Sequence, residues 1–340
     1  MHRPRRAVNA APAPDAPDAP DARSPSRPWP AGAPPHNLGG PPAPETAMPL
    51  TAQQAQSKYF ALHTTARRLA WDPAAVDLGR DREDWARIRR DHAAERAAEQ
   101  LFHLCALFHQ GEESVAHTLP PFASAVARAG LGVDLELHLA TQLYEEARHF
   151  EFFARYFAEV LEVDGAASAA VMPGAPQAVL VDGLDAVSER LRREDDPARL
   201  GDLLVEGVTY YMGVIEAMLA RTGYEGAQAA LATRGWLPGL QEGFRLIRRD
   251  EGRHVAFGAR CVRDLVAAEP RRAAIVHATF ERTLPHVLGT VQAFAAYERP
   301  IVDVGVLVAF ATGALRQFLA AAGLGSPDDA RALDAELALG

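Results

Sequence analysis

Two short stretches decide the fold of this chain: "YEEARHF" at residues 144–150 and "RDEGRHVAF" at residues 249–257. Each places a glutamate three positions before a histidine, which gives the pairs Glu146/His149 and Glu251/His254. Residues three apart lie one turn apart on the same face of an α-helix, so each pair can bind one metal ion. Either motif alone is more typical of an ordinary polar helix surface.

Two further glutamates extend the pattern to both halves of the chain. Glu112 lies 34 residues before Glu146, and Glu216 lies 35 residues before Glu251. Corresponding positions in the two halves are therefore 104 or 105 residues apart, as expected for two helix hairpins related by a pseudo-twofold axis. Glu206 is a possible alternative to Glu216, but its spacing of 45 and its position off the apolar face argue against it.

The four glutamates interrupt helix faces that are otherwise mostly apolar. These faces have the alternating steps of three and four residues that are typical of buried helices. They run over residues 101–119, 135–156, 205–219 and 244–265. Burying a lone carboxylate costs on the order of several kcal/mol, so these acids are predicted to be paired, protonated or bound to metal.

Four carboxylates and two imidazoles on four helices are the ligand set of ferritin-like dimetal proteins. Oxygen and nitrogen donors with open coordination positions suit iron and manganese and allow them to react with O2. The sequence therefore predicts an all-α, ferritin-like four-helix bundle with additional helices and oxidative chemistry. Asp250 and Glu145, each next to a ligand, are candidates for orienting the two imidazoles.

The remaining histidines do not share this register. His103, His109, His117 and His138 are accordingly predicted to be surface residues or hydrogen-bonded core residues.

The composition is that of an ordinary globular protein. The chain has 340 residues, 48% of them apolar, which is enough to bury a sizeable core. Its net charge of −9 gives no basic field, so nucleic acid is not an expected partner. Cys105 and Cys261 both lie in apolar helical patterns, which predicts no disulfide and a cytoplasmic location. No run of about 18 apolar residues is present, so no membrane span is expected.

One domain is predicted, with a separate segment at each terminus. Residues 1–47 are rich in Pro, Ala and Asp and are predicted to be a disordered leader. Residues 48–325 form the expected dimetal domain, and residues 326–340 form a C-terminal tail. Helices are predicted near residues 83–118, 132–163, 177–193, 197–222, 238–267, 271–295 and 303–322.

The chain resembles a known family, the ribonucleotide-reductase small-subunit-like ligand-binding oxidases. The resemblance is carried by "RLAWDPAAVDLGRDREDW" (68–85), "LFHQGEESV" (107–115), "YEEARHFEFF" (144–153), "TYYMGVIEAMLARTGY" (209–224) and "RDEGRHVAFG" (249–258). It implies a manganese/iron site in which Glu112, Glu146 and His149 hold manganese, Glu216, Glu251 and His254 hold iron, and Glu146 is shared. A pair of irons is the alternative cofactor.

The same resemblance implies an internal oxidation and a bound ligand. The β-carbon of Val115 is expected to be joined to the phenol oxygen of Tyr211 in an ether crosslink. A long-chain fatty acid is expected to reach the metals through an apolar tunnel, and a homodimer is expected by resemblance. Bulky residues near the ligands are compatible with a tunnel wall or with a solid core. They are Phe108, Phe150, Phe153, Met212 and Phe257.

Two other functions remain as alternatives. A radical-generating small subunit of ribonucleotide reductase resembles this chain, but the position of its radical tyrosine is Phe153 here. Its first ligand is usually aspartate rather than Glu112, and the tail "DDARALDAELALG" has no tyrosine for electron transfer. The second alternative is a non-catalytic iron-binding bundle, which would show neither crosslink nor turnover.

Overall fold

The computed structural model describes residues 51–163, 167 and 174–326, and it is built from helices with no strand in those residues. The predicted leader and nearly all of the predicted tail lie outside the described residues. The helices are α1 Ala52–Ala55, α2 Lys58–Arg68, α3 Gly79–Asp91, α4 Ala97–Thr118, α5 Pro120–Arg128, α6 Val133–Tyr156, α7 Ala175–Arg193, α8 Pro197–Val208, α9 Arg221–Arg234, α10 Pro238–Ala268, α11 Ala273–Gln292 and α12 Val304–Ala321. The predicted all-α class is confirmed.

Two π-helical segments extend these helices. Phe157–Leu161 continues α6, and Thr209–Ala220 joins α8 to α9 in one uninterrupted helical rod. π-Helical turns occur frequently at functional sites, and the second segment carries Glu216.

Two predicted helix boundaries were wrong. The helix predicted over 83–118 is divided between α3 and α4, because Arg96 adopts a left-handed conformation with φ of 52°. The helix predicted to end at residue 222 continues to Arg234. Gly226 does not stop it: a Cβ there would lie 2.3 Å from Leu307 Cδ2, so this glycine allows α9 and α12 to pack closely. Helices α2 and α5 were not predicted.

Four helical segments supply the expected ligands. Helix α4 packs on α6, and α10 packs on α6 and on the π-helical segment. At Gly258 of α10, a Cβ would lie 2.3 Å from the Cβ of Met212. Glycine is therefore needed for the close approach of the two helices that carry Glu216 and Glu251.

The ligand positions fall between two apolar core clusters. The first cluster contains Val115, Leu139, Tyr211 and Val255, and the second contains residues from the opposite end of each ligand helix. Along the chain, α4 runs from the second cluster to the first, whereas the rod 197–234 runs from the first to the second. These two helices therefore run in opposite senses, as the crosslink expected between Val115 and Tyr211 requires.

Two described helices are long and apolar enough to cross a membrane by length and composition alone. In Pro197–Arg234, 78% of the most apolar window is buried inside the protein, as expected for a core helix. In Val304–Ala321 only 22% is buried. Core helices of proteins that never enter a membrane pass the same test, so the absence of a span stays a prediction.

Candidate metal centre

The six predicted ligands converge in two overlapping groups. Ligand atoms of Glu112, Glu146, His149 and Glu251 lie within 4.8 Å of one another. Those of Glu146, Glu216 and His254 do the same. All six side chains are buried, and Glu146 belongs to both groups.

The first group is arranged around the Nδ1 atom of His149. This atom lies 3.4 Å from Glu112 Oε2, 3.3 Å from Glu146 Oε2 and 3.4 Å from Glu251 Oε1. These distances are long for N–H···O hydrogen bonds. Metal–ligand bonds of about 2.1 Å at right angles place two ligand atoms about 3 Å apart, so the spacing suits donors that share one cation.

The second group repeats this geometry around His254. Its Nδ1 atom lies 3.3 Å from Glu146 Oε1, 3.4 Å from Glu216 Oε1 and 3.6 Å from Glu251 Oε2. Glu146 and Glu251 thus each direct one carboxylate oxygen to His149 and the other to His254. The sequence indicated only Glu146 as a shared ligand, whereas the structure gives Glu251 the same position between the two groups.

Several buried atoms at the centre fit bound cations. Among the described residues, the Nδ1 atoms of His149 and His254 and one oxygen each of Glu216 and Glu251 have no hydrogen-bond partner. Burial raises the pKa of Glu112 to about 7 and raises the pKa of Glu216 well above its usual value. Cations would stabilise these carboxylates in their charged form, so the donor set fits a dimetal site.

The imidazoles are oriented by acids from opposite halves of the site. His149 Nε2 lies 3.3 Å from Asp250 Oδ2, and His254 Nε2 lies 2.9 Å from Glu145 Oε2. A proton on each Nε2, donated to its acid, leaves each Nδ1 free for a metal. The structure thus places Asp250 and Glu145 where the sequence suggested.

Other residues that support the centre were not identified from the sequence. Trp71 Nε1 donates to Asp250 Oδ2 at 2.7 Å, and Arg148 Nη2 donates to the same oxygen at 2.9 Å. Arg253 Nη2 donates to Glu145 Oε1 at 2.5 Å. Trp71 is 179 residues from Asp250 in the chain, and nothing in local spacing indicates that they meet.

The two outer ligand glutamates, Glu112 and Glu216, each accept a hydrogen bond from a side chain that is not a ligand. Tyr224 Oη donates to Glu112, and Gln142 Nε2 donates to Glu216 Oε1 at 2.8 Å. Gln142 lies one turn before Glu146 on the apolar face, a position that could have identified it.

Val115 and Tyr211 both lie beside the centre. Val115 is buried, and Tyr211 is fully buried with its hydroxyl donating to Glu146 Oε1 at 2.9 Å. Burial raises the pKa of Tyr211 well above its usual value, and the negative charges of Glu146, Glu216 and Glu251 raise it further. The phenol therefore keeps its proton at neutral pH.

A mostly apolar cavity of about 120 Å³ opens onto the ligands. Four ligand glutamates line it, together with apolar side chains that include Phe108, Leu180, Leu184 and Ile215. Of the bulky residues suggested as a tunnel wall, Phe108 lies on the cavity. The cavity lining does not include Phe150, Phe153, Met212 or Phe257.

The remaining histidines and Glu206 lie outside the ligand groups. His138 is fully buried and stacks on Phe257 at 4.3 Å between ring centroids. Neither of its ring nitrogens has a hydrogen-bond partner in the described chain, so the expectation of a surface or hydrogen-bonded histidine was wrong there. Glu206 forms ion pairs with Arg190 at 3.0 Å and with Arg282 at 3.1 Å, in line with its rejection as a ligand.

No protein-family model matches the chain. Among solved structures, it is similar to a variant R2-like ligand-binding oxidase with an anaerobically reconstituted Mn/Fe cofactor, at 25% identity and a TM-score of 0.69, covering 80% of this chain and 94% of that chain. A variant with an aerobically reconstituted Mn/Fe cofactor matches at 25% identity and a TM-score of 0.68, with the same coverage. A variant with a non-activated Mn/Mn cofactor matches at 25% identity and a TM-score of 0.69, again over 80% and 94% of the two chains.

Fold and ligand set together define the class: this is a ferritin-like protein with a carboxylate and histidine cluster able to hold two metals. Within that class the chain is similar to the R2-like ligand-binding oxidases, and the resemblance predicted from its sequence is confirmed. The predicted enzyme class, an O2-dependent dinuclear metal oxidoreductase, is confirmed with it.

Proposed function

We propose that this oxidase uses one manganese and one iron to couple O2 reduction to a two-electron oxidation of a C–H bond. The observation that carries the proposal is the pair of buried ligand groups around the Nδ1 atoms of His149 and His254. Glu112, Glu146 and His149 would hold manganese, and Glu216, Glu251 and His254 would hold iron. The Mn/Fe cofactors of similar oxidases support this choice of metals.

The internal target is the pair Val115 and Tyr211. Ether formation breaks the Cβ–H bond of Val115 and the O–H bond of Tyr211 and joins the β-carbon to the phenol oxygen. The protein loses two protons and two electrons, and O2 is the oxidant. Glu146 accepts the phenol hydrogen bond at 2.9 Å, so it both orients Tyr211 and offers a base for its proton. When bound, the metals would supply the oxidising equivalents.

The cavity beside the ligands is proposed to hold the carboxyl end of a long-chain fatty acid, because its volume of about 120 Å³ is too small for the whole molecule. Its lining is mostly apolar, while the ligand glutamates lie at one side of it. An acyl chain would pack against Leu180, Leu184 and Ile215, and its carboxylate would reach the metals. The name of the similar oxidases, which describes them as ligand-binding, supports this assignment.

The crosslink is tested by intact-protein mass spectrometry after aerobic loading with manganese and iron. The native sequence should lose two hydrogen atoms, and the Tyr211→Phe variant should lose none. Tyr210→Phe is the matched control, because Tyr210 donates to the backbone oxygen of Leu180 rather than to a ligand. An unchanged native mass, or the same loss in Tyr211→Phe, would rule out this crosslink.

Ligand binding is tested by filling the cavity. Gly111 lines it, and a Cβ at this position meets nothing within 4 Å, so Gly111→Leu should fold and occupy the acyl site. We expect this variant to purify with less extractable fatty acid and with its metals retained. Ala229→Leu on the exposed face of α9 is the control. Equal fatty-acid content in both variants would contradict the assignment.

A cytoplasmic homodimer is the proposed form of the enzyme. Light scattering should give twice the mass of one chain. A reductase subunit would instead support nucleotide reduction with a large subunit, and a non-catalytic iron-binding bundle would show no mass loss after aerobic loading.

A further inference from the structure

A second cavity lies outside the metal centre. It has a volume of about 480 Å³, within the range of small-molecule sites, and none of the six ligands lines it. Helices α2, α10 and α12 and the rod that contains α9 supply its walls. Five arginines face it: Arg221, Arg245, Arg248, Arg249 and Arg253.

Four of these arginines form one stripe on α10. Arg245, Arg248, Arg249 and Arg253 occupy positions i, i+3, i+4 and i+8, which lie on a single helix face. Like charges four residues apart repel one another on a helix. Such a concentration of positive charge is unusual in a chain whose net charge is −9, and it requires anions nearby.

Internal carboxylates neutralise most of this stripe. Arg245 pairs with Glu242 at 2.6 Å, and Arg248 pairs with Glu225 at 2.6 Å. Arg253 pairs with Glu145, which in turn holds His254 of the metal centre.

Arg249 has the longest ion-pair distance of the four arginines in the α10 stripe among the described residues. Its Nη2 donates to the backbone oxygen of Leu69 at 2.6 Å, and its Nε lies 3.9 Å from Asp250 Oδ1. That Nε atom is buried and has no hydrogen-bond partner among the described residues. The Nε atom is itself too buried to contact a ligand, but the Arg249 side chain lines the cavity, so its guanidinium offers a positive charge to a ligand there.

The part of the lining that comes from α12 is mostly apolar, with Gln317 as its polar member. Helix α12 contributes Ala309, Phe310, Gly313 and Ala314 to it, and the side chain of Phe310 remains exposed. The cavity therefore combines cationic side chains from α10 with apolar side chains from α12, which complements a molecule with an anionic head and an apolar chain.

We propose that this second cavity binds a phosphate ester that carries an apolar chain. The phosphate would contact Arg249 and its neighbours on α10, and the chain would lie against α12. Guanidinium groups bind phosphate through paired, charge-assisted hydrogen bonds, and a phosphate monoester carries a charge of about −1.5 to −2 near neutral pH. The ester could be a free metabolite or the headgroup of an anionic phospholipid, since both present the same chemistry.

Binding is tested on the full chain loaded with manganese and iron. Calorimetry with hexyl phosphate, and sedimentation with phosphatidylcholine vesicles with and without phosphatidic acid, separate the two sources of phosphate. We expect saturable binding that Arg249→Gln weakens by about tenfold or more, with metal content unchanged. Arg193→Gln is the charge-matched control, because Arg193 is exposed on α7 and pairs with Glu189.

A second variant keeps the test decisive if Arg249→Gln does not fold. Arg245 is about half exposed, so Arg245→Gln should fold and should also weaken binding. Binding of hexyl phosphate supports a free ester, and binding only to vesicles that contain phosphatidic acid supports a lipid headgroup. The proposal is overturned if neither probe binds, or if the pocket variants bind as tightly as Arg193→Gln.

Discussion

The two halves of the metal centre have the same ligands in the same order, yet the chain holds them differently. Glu112 projects from the regular helix α4, whereas Glu216 projects from the π-helical segment Thr209–Ala220. Tyr224 donates to Glu112, and Gln142 donates to Glu216. The ligand sets are therefore symmetric, but their immediate surroundings are not.

The surroundings of the two imidazoles also differ. Asp250, which orients His149, also accepts hydrogen bonds from Trp71, Arg148 and Arg253. Glu145, which orients His254, accepts hydrogen bonds from Arg148 and Arg253 but, among the described residues, from no tryptophan. Because neighbouring donors tune the basicity of a ligand, two equal sets of ligands can still prefer different metals.

The largest effect is expected at Glu146, one of the two glutamates that both halves share. Glu146 directs one oxygen to each histidine, so Glu146→Ala should reduce bound manganese and iron together, by about tenfold or more. Metal analysis after loading measures this. Glu206→Ala removes a carboxylate outside the site and serves as the control. If only one metal were lost, the two halves would be independent, and the view of Glu146 as a bridge would be wrong.

A smaller and unequal effect is expected for the orienting acids. Asp250→Asn and Glu145→Gln keep the size of each side chain but remove its charge, and such changes cost about 10–100-fold in metal affinity. Asp250→Asn should cost more, because Asp250 also holds Trp71. Competition with a chelator gives the affinity for each metal. Equal losses in the two variants would show that the difference in surroundings has no energetic consequence.

The convergence of the six proposed ligands could be predicted from the sequence, because their signal is local and repeated. Glu146/His149 and Glu251/His254 follow helical periodicity, and their matching distances from Glu112 and Glu216 indicate a paired site. The shared position of Glu251 was missed, since spacing places a carboxylate on a helix face but does not say which way its oxygens point.

Contacts between segments that are distant in the chain could not be predicted from helical spacing. Trp71 meets Asp250 only because α10 packs against the segment after α2, and single-sequence periodicity contains no information on that contact. The continuation of α8 to Arg234 was missed for a related reason. The helix was predicted to end at residue 222, whereas it continues through Gly226, which admits the side chain of Leu307 from α12.

The smallest effect is expected at the donors to the outer glutamates. Tyr224→Phe removes the hydrogen bond to Glu112 but keeps the ring, which stacks on Phe108 at 4.0 Å between centroids. The loss of one such bond costs about 1 kcal/mol, which corresponds to about fivefold in affinity for the metal bound by Glu112. Affinity for the metal bound by Glu216 should hardly change in this variant. Gln142→Met should instead weaken the metal bound by Glu216 and leave the metal bound by Glu112 nearly unchanged. Competition with a chelator measures the affinity of both variants for each metal. If either variant lowered the affinity for both metals equally, the donors would stabilise the whole bundle rather than their own half of the site.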